Sequence, residues 1–163
     1  MKALSLTEPW ATAVRDLLKH WETRSWPTHF RGEFALHAAK GFPRWCKDFA
    51  AEQGVNVDAL GAIIAIGEIT ACRQTETVVK EISEQEKKWG DYAAGRFAFK
   101  IENVKPLREP VYCKGALGFW TVPPEVEARV REVSGGGGGC GGAEVSACHA
   151  LVLRRREAGD AEP

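Results

Sequence analysis

One run of mostly β-branched residues, Gly61 to Cys72, limits the possible folds of this chain more than any other segment. It contains Ile63, Ile64, Ile66 and Ile69, and such continuous apolar character is typical of a strand that is buried on both faces. A strand of this kind needs a neighbouring strand on each edge and apolar packing on each side. The sequence therefore predicts a sheet with this strand at its centre.

Shorter segments supply the other predicted strands, because they alternate between apolar and polar residues or lead into a proline. They are Lys2 to Leu6, Glu22 to Trp26, Gly32 to Ala38, Arg96 to Val104 and Ala116 to Val122. Because short strands interrupted by helices are typical of curled sheets, the predicted fold class is α+β, a small β-barrel of about five or six strands with two or three flanking helices.

The predicted helices follow from apolar spacing and from glycine and proline at the segment boundaries. They run from Pro9 to about Leu18, from Lys40 to Gln53 and from Glu125 to Val133. Residues 76–91 hold five acidic side chains and three lysines, and we interpret this stretch as a solvated helix or loop.

Length and composition predict one domain. The chain has 163 residues, of which 44% are hydrophobic and 27% charged, and no apolar run approaches the ~18 residues of a membrane span. Seven of the eight residues 135–142 are glycine, a composition typical of a flexible linker. We therefore expect a domain over residues 1–133 and a glycine-rich linker with a disordered tail over residues 134–163. The first nine residues turn polar early, so we expect a cytoplasmic location.

The cysteines and charges narrow the possible partners. Five cysteines without a CxxC pair match neither a disulfide framework nor a zinc site, so we expect free thiols, no metal and no cofactor. Basic and acidic residues number 22 each, which argues against non-specific binding to long duplexes. Residues 1–47 nevertheless carry eight basic and four acidic side chains. An anionic partner should therefore bind the N-terminal third.

A charged cluster is the best candidate for a site. Lys19 follows the first predicted helix, and Glu22 and Arg24 share one face of the next strand because they are two residues apart. Cation, anion and cation should therefore surround one point. Glu68 interrupts the central apolar strand. It is costly to bury without a partner such as Lys19 or Arg24. If the strand directs Glu68 to the same point, the site holds two carboxylates and two cations.

Several segments, taken together, resemble the ASCH domain family of the PUA-like superfamily over roughly residues 1 to 122. The segments are Ala3-Leu4-Ser5-Leu6, Glu8-Pro9-Trp10-Ala11, Lys19-x-x-Glu22-x-Arg24, Gly32 with Leu36-His37-Ala38-Ala39, Gly67-Glu68, and Lys114-Gly115-Ala116-Leu117-Gly118-Phe119-Trp120. The resemblance implies a PUA-like β-barrel whose cleft, lined by the motif lysine, glutamate and arginine, faces nucleic acid or a modified nucleoside. Two positions depart from the family pattern, since Glu8 stands where Gln is usual and Leu18 where Gly is usual.

The favoured function is recognition of single-stranded RNA or of a nucleotide or nucleoside. Lys19 and Arg24 would contact phosphate and Trp26 would stack on a base. The residues predicted to bind nucleic acid are Lys19, Glu22, Arg24, Trp26, His37 and Lys114. For His37 a hydrogen-bonded wall residue is favoured over a metal ligand, and Lys114 is either a phosphate contact or a solvated turn residue.

The alternative function is hydrolysis without a metal ion. The resemblance extends to ribonucleases and to N4-acetylcytidine amidohydrolases, in which Lys19, Glu22 and Glu68 would be the catalytic positions. Here Glu22 replaces the threonine of the amidohydrolases, which weakens that version. A third interpretation makes the domain a protein-interaction module with a recruiting tail. The alternatives without a functional role are that Glu22 and Arg24 form a surface ion pair and that the tryptophans belong to the core.

Overall fold

A computed structural model of the chain describes residues 1–135. The six strands are β1 (Lys2–Leu6), β2 (Trp21–Arg24), β3 (Gly32–Ala38), β4 (Ala62–Gln74), β5 (Phe97–Tyr112) and β6 (Phe119–Thr121). The helices of this part are α1 (Trp10–Arg15), α2 (Arg44–Glu52), α3 (Thr75–Val78), α4 (Glu84–Lys87) and α5 (Pro124–Ser134). The α+β class and the strand number are confirmed. Residues 1–135 contain five short helices rather than two or three, because two single turns, α3 and α4, interrupt the long β4–β5 connection.

All six strands form one curled, mixed sheet in the order β2-β5-β4-β3-β1-β6. β1 and β3 are parallel, and the other neighbours are antiparallel. The isoleucine-rich strand β4 pairs with β3 on one edge and β5 on the other. Its predicted central position is therefore confirmed, and the sheet is a mixed half-barrel.

Both faces of the sheet carry an apolar core, as the pattern of β4 requires. Ile64 and Ile69 pack on one face with residues of α1, whereas Ile63 and Ile66 pack on the other face with Val130 of α5. Because successive side chains of a strand point to opposite faces, one strand serves both cores. No helix within residues 1–135 is long and apolar enough to cross a membrane.

The end of α1 sets the position of the charged cluster. The helix stops at Arg15, earlier than predicted, and Leu17 has a φ of 60°, which lies in the left-handed region that non-glycine residues rarely adopt. The N–H groups of Leu18 and Lys19 both bond to the carbonyl oxygen of Ala13. This turn leaves Leu17 49% exposed and directs the following lysine into the protein.

Three cysteines lie in the described part of the chain, and all three are free. Cys46 is buried, whereas Cys72 and Cys113 are partly buried. Cys140, Cys148, the glycine run beyond residue 135 and the predicted tail lie outside the described residues.

Candidate functional site

Lys19 is almost entirely buried, with 1% of the residue exposed. Its ammonium group donates to the carbonyl oxygen of Trp21 and, over 3.0 Å, to that of Trp89. Nζ also lies 3.3 Å from Oε2 of Glu22. A buried ammonium group is tolerated only when charge and hydrogen bonds compensate its lost hydration. The position after the α1 turn therefore makes Lys19 a fixed internal cation rather than a mobile surface group.

Glu22 joins this lysine to Arg24. Its Oε1 accepts a hydrogen bond of 2.9 Å from Nε of Arg24, while Oε2 faces Lys19. Nη2 of Arg24 donates over 2.9 Å to the backbone oxygen of Ser5 on β1. The structure therefore places the two cations on either side of one carboxylate, as the spacing along the strand predicts.

The segment that we interpreted as solvated contributes to this site instead. The carboxylate of Glu86 is buried and accepts hydrogen bonds from the backbone N–H groups of His20 and Trp21. This contact holds α4 against the start of β2 and brings Trp89, which is 1% exposed, to Lys19. The prediction of a solvated segment over residues 76–91 was wrong at Glu86 and Trp89. The high charge of the segment suggested exposure throughout and gave no sign of a buried tryptophan or of the buried carboxylate that holds the segment in place.

The charged cluster lies at an open cleft of about 790 Å³, here called the first cleft. Glu22 and Arg24 line it together with an aromatic wall of Trp10, Trp45 and Phe49. The ring of Trp10 stacks on Phe49 and lies 5.7 Å from that of Trp45. Trp45 is 63% exposed, so its indole face is open to solvent. Further lining residues are Ser5, Leu6, Thr7, Thr23, Ala39, Lys88, Trp89, Gly90, Asp91, Arg96, Ala116, Leu117 and Gly118.

Trp26, the predicted stacking residue, is not among the residues that line the first cleft. Its ring makes edge contacts with Phe99 and Phe119, with centroid distances of 5.2 and 6.1 Å. The guanidinium of Arg24 lies 6.0 Å from the centroid of the same ring. The structure therefore places Trp26, partly buried, against the apolar core and beside Arg24.

Glu68 does not reach the charged cluster either. Gly67 and Ile69 point toward the apolar core that packs against α1, so Glu68 between them points to the opposite face. There its Oε2 accepts a 2.8 Å hydrogen bond from Nδ2 of Asn103, and it stands opposite Glu33 in the sheet register. The expected pairing with Lys19 or Arg24 is therefore corrected: the alternation of β4 places this carboxylate on the α5 side.

His37 is a buried wall residue, 2% exposed, at a second cleft of about 890 Å³. Its Nδ1 lies 3.0 Å from Oγ of Ser5, and its Nε2 lies 3.1 Å from the backbone oxygen of Cys113. Desolvation by burial lowers the pKa of His37, and the contact with the Cys113 carbonyl opposes this only in part. Among the described residues no cluster of His, Cys, Asp and Glu is suited to hold a metal ion.

Lys114 is exposed and lines the second cleft together with Lys40. Three of the large exposed apolar side chains border the same cleft: Leu60, Tyr112 and Leu117. The two clefts adjoin, since Ser5, Ala39, Ala116 and Leu117 line both of them. His37 and Lys114 are thus neighbours of the charged cluster rather than members of it.

Comparison with known proteins identifies the family of this chain. Residues 4–111 match the sequence model of the ASCH domain. The chain belongs to the ASCH domain family. The crystal structure of ASCH from Zymomonas mobilis resembles this ASCH domain with a TM-score of 0.54 and 14% sequence identity, over 82% of this chain and 94% of that chain.

Two variants of the Zymomonas mobilis protein give similar values. A tyrosine-to-phenylalanine mutant matches with a TM-score of 0.54 over 97% of its length, and a serine-to-alanine mutant with 0.51 over 95%; each covers 82% of this chain at 14% identity. No curated protein sequence matches the chain significantly. At this identity the structural likeness shows the fold of the ASCH domain and not its activity.

Sequence reasoning missed several residues that the clefts expose. Trp45 sits in α2 beside buried Cys46, and Tyr112 ends the long strand β5. Ser5 was part of the family resemblance but received no role. The signal available for Trp45 was its position in an amphipathic helix next to charged Arg44 and Lys47, which marks it as a surface aromatic.

Proposed function

We propose that the ASCH domain binds one unpaired nucleotide in the first cleft, either within single-stranded RNA or as a free, modified nucleoside. The observation that carries the proposal is the carboxylate of Glu22, which is held between Lys19 and Arg24 and lines the same cleft as the exposed Trp45. A fixed acceptor that shares a cleft with an exposed aromatic ring suits a ligand with a planar ring and polar edges.

The carboxylate retains capacity for a ligand. A carboxylate offers about four acceptor positions, and Lys19 and Arg24 occupy one on each oxygen. The remaining positions suit two adjacent N–H donors, such as a ring N–H and an exocyclic amino group on one edge of a nucleobase. Because both cations are already fixed by backbone carbonyls, Glu22 needs no rearrangement to receive them.

Stacking and charge favour the same ligand. An aromatic side chain contributes ~1–3 kcal/mol per stacked base, and the ring of Trp45 is open for this contact. Lys88 and Arg96 also line the cleft. Arg96 pairs with Asp91 over 3.4 Å, so the exposed Lys88 is the better placed of the two to attract phosphate. A base inside a duplex presents no free face, so the site should prefer single strands.

The hydrolase alternative based on Lys19, Glu22 and Glu68 receives less support. Lys19 is committed to two backbone carbonyls, and Glu68 lies on the other face of the sheet. A catalytic group must reach the reacting atoms. The hydrogen bonds of Lys19 and the position of Glu68 keep both side chains away from a substrate in the first cleft. Binding is therefore the function that we propose for this cleft.

The test is titration of fluorescently labelled short RNA by fluorescence anisotropy, with duplex DNA as the competitor. We expect tighter binding of single-stranded RNA than of duplex DNA. The logarithm of affinity should fall with the logarithm of salt concentration at ~0.7 per phosphate contact, for about two or three contacts. Trp45→Ala should weaken binding by about 5- to 150-fold, which corresponds to ~1–3 kcal/mol of stacking. Glu22→Gln should weaken binding and change the preference among bases.

Arg44→Ala is the matched control, because Arg44 neighbours Trp45 on α2, is 88% exposed and pairs with Asp48. It should leave RNA affinity within about twofold. Equal binding by the wild type, Trp45→Ala and Glu22→Gln, each shown to be folded by circular dichroism, would contradict the proposed site.

A further inference from the structure

A polar pair outside the charged cluster lies at the second cleft. Ser5 on β1 stands directly opposite His37 on the parallel strand β3. Their side chains are in contact, with 3.0 Å between Oγ and Nδ1, and both residues line the cleft. A hydroxyl that meets an imidazole in this way is the arrangement from which serine nucleophiles are activated.

The surrounding hydrogen bonds determine where the protons lie. The backbone oxygen of Cys113 can only accept, so Nε2 of His37, 3.1 Å away, carries a proton. Burial lowers the pKa of His37, which favours the neutral ring and leaves Nδ1 as an acceptor. Trp120 donates its indole N–H to Oγ of Ser5 over 3.1 Å. The hydroxyl proton of Ser5 is therefore directed at Nδ1.

We propose that Ser5 is a nucleophile for acyl transfer, with His37 as its general base, and that the second cleft takes a small anionic ester or amide. Oγ forms a bond to the acyl carbon while its proton passes to Nδ1, and the bond to the leaving alcohol or amine breaks as Nδ1 returns that proton to it. Water then attacks the acyl-serine with Nδ1 as base, which releases the free acid and restores the hydroxyl. This activity does not rest on the function proposed for the first cleft.

The lining of the second cleft indicates the class of substrate. Lys40 and Lys114 line it, and no aspartate or glutamate within residues 1–135 does, so it favours a negatively charged group. Leu60 and Tyr112 add apolar surface for the remainder of the acyl chain. A Cβ at Gly115 would lie 2.7 Å from Oγ of Ser5. Glycine is therefore required at this position for the backbone to lie so close to the Ser5–His37 pair.

The first test is covalent labelling of the full chain with a fluorophosphonate, followed by peptide mass spectrometry. We expect the phosphonyl group on Ser5, with loss of fluoride. In parallel, release of p-nitrophenol from p-nitrophenyl succinate and p-nitrophenyl acetate is measured. Ser5→Ala should slow release at least tenfold, whereas Ser25→Ala, which changes an exposed serine outside both clefts, should retain the rate. The anionic succinate ester should react faster than the acetate.

The pH profile separates an activated serine from a merely structural one. With neutral His37 as base, the labelling rate should rise with pH as His37 loses its proton. Because the pKa of His37 lies below its ordinary value of 6.5, the rate should be constant above that pH. His37→Gln should remove this plateau. The other titratable groups lining the cleft are Lys40, Tyr112, Cys113 and Lys114, and none of them contacts Oγ of Ser5 within hydrogen-bonding distance in the described part of the chain.

The labelling experiment decides the proposal even if a variant does not fold. Absence of label on Ser5 in the folded wild type would overturn it. Equal ester hydrolysis by folded Ser5→Ala, or a labelling rate that grows about tenfold for each pH unit without a plateau, as for simple hydroxide attack, would do the same. Labelling of Ser5 with turnover of the succinate ester would support it.

Discussion

Replacing Lys19 with methionine should destabilise the ASCH domain strongly although the two side chains have similar length. The substitution leaves two buried carbonyl oxygens, of Trp21 and Trp89, without their shared donor. It also removes the cation that lies 3.3 Å from Glu22. Removal of one partner from a buried ion pair costs ~3–5 kcal/mol. Because Arg24 still pairs with Glu22, we expect the lower end, about 3 kcal/mol.

Urea unfolding followed by circular dichroism measures this loss as a lower midpoint at unchanged slope. Lys80→Met is the matched control, since Lys80 is exposed, and it should change stability by no more than about 0.5 kcal/mol. Adding Glu22→Gln to Lys19→Met should cost less than the sum of the two single changes, with a coupling of ~1–3 kcal/mol. A loss below about 1 kcal/mol for Lys19→Met would refute the idea that this lysine is a desolvated internal cation.

Three further outcomes follow from the structure. Burial raises the pKa of Glu8 above 4.5, so the folded state binds the Glu8 proton more tightly than the unfolded state does. Stability therefore falls as pH rises from 4.5 through the pKa of the folded state. In urea titrations, Glu8→Gln should be more stable than the wild type near neutral pH and lose this advantage below about pH 4. Gly115→Ala should lower the free energy of unfolding by ~1–3 kcal/mol, because its Cβ would lie 2.4 Å from Cε1 of His37. For comparison, Gly118→Ala has open space but a φ of 63°, so it should lower that free energy by ~1–2 kcal/mol from backbone strain alone. A chain shortened to end at Gly135 should keep its thermal midpoint within about 4 °C.

Each of these has an outcome that would contradict it. A Glu8→Gln variant with the same pH dependence as the wild type would show that the buried carboxyl does not couple to folding. Gly115→Ala with unchanged stability would mean that the loop shifts freely over His37. A shortened chain that precipitates would mean that residues beyond Gly135 contribute to folding, against the predicted domain boundary.

Periodicity sufficed to predict β1 and β3 with their exact limits, Lys2–Leu6 and Gly32–Ala38. It failed for β5, where the predicted strand stops at Val104 but the observed strand continues to Tyr112. Pro106 interrupts the alternation there, and the register with β4 shifts next to it. Proline is tolerated at such irregular positions, which a pattern of alternation does not reveal.

The candidate site also contains one part that the sequence predicted and one part that it did not. Lys19, Glu22 and Arg24 are close in sequence, so strand spacing alone predicted their meeting. The contact of Lys19 with Trp89 joins residues 70 positions apart, and no local pattern indicates it. The side of the sheet to which Glu68 points was also undetermined, because alternation gives the relative orientation of neighbours on β4 but not which of the two faces carries the cleft.

Leu117 belongs to the linings of both clefts and is 99% exposed. A ligand that covered this side chain from one cleft would remove the same apolar area from water that a ligand in the other cleft would need. Two ligands that both covered Leu117 would therefore antagonise each other, and by thermodynamic reciprocity each would weaken the other by the same factor.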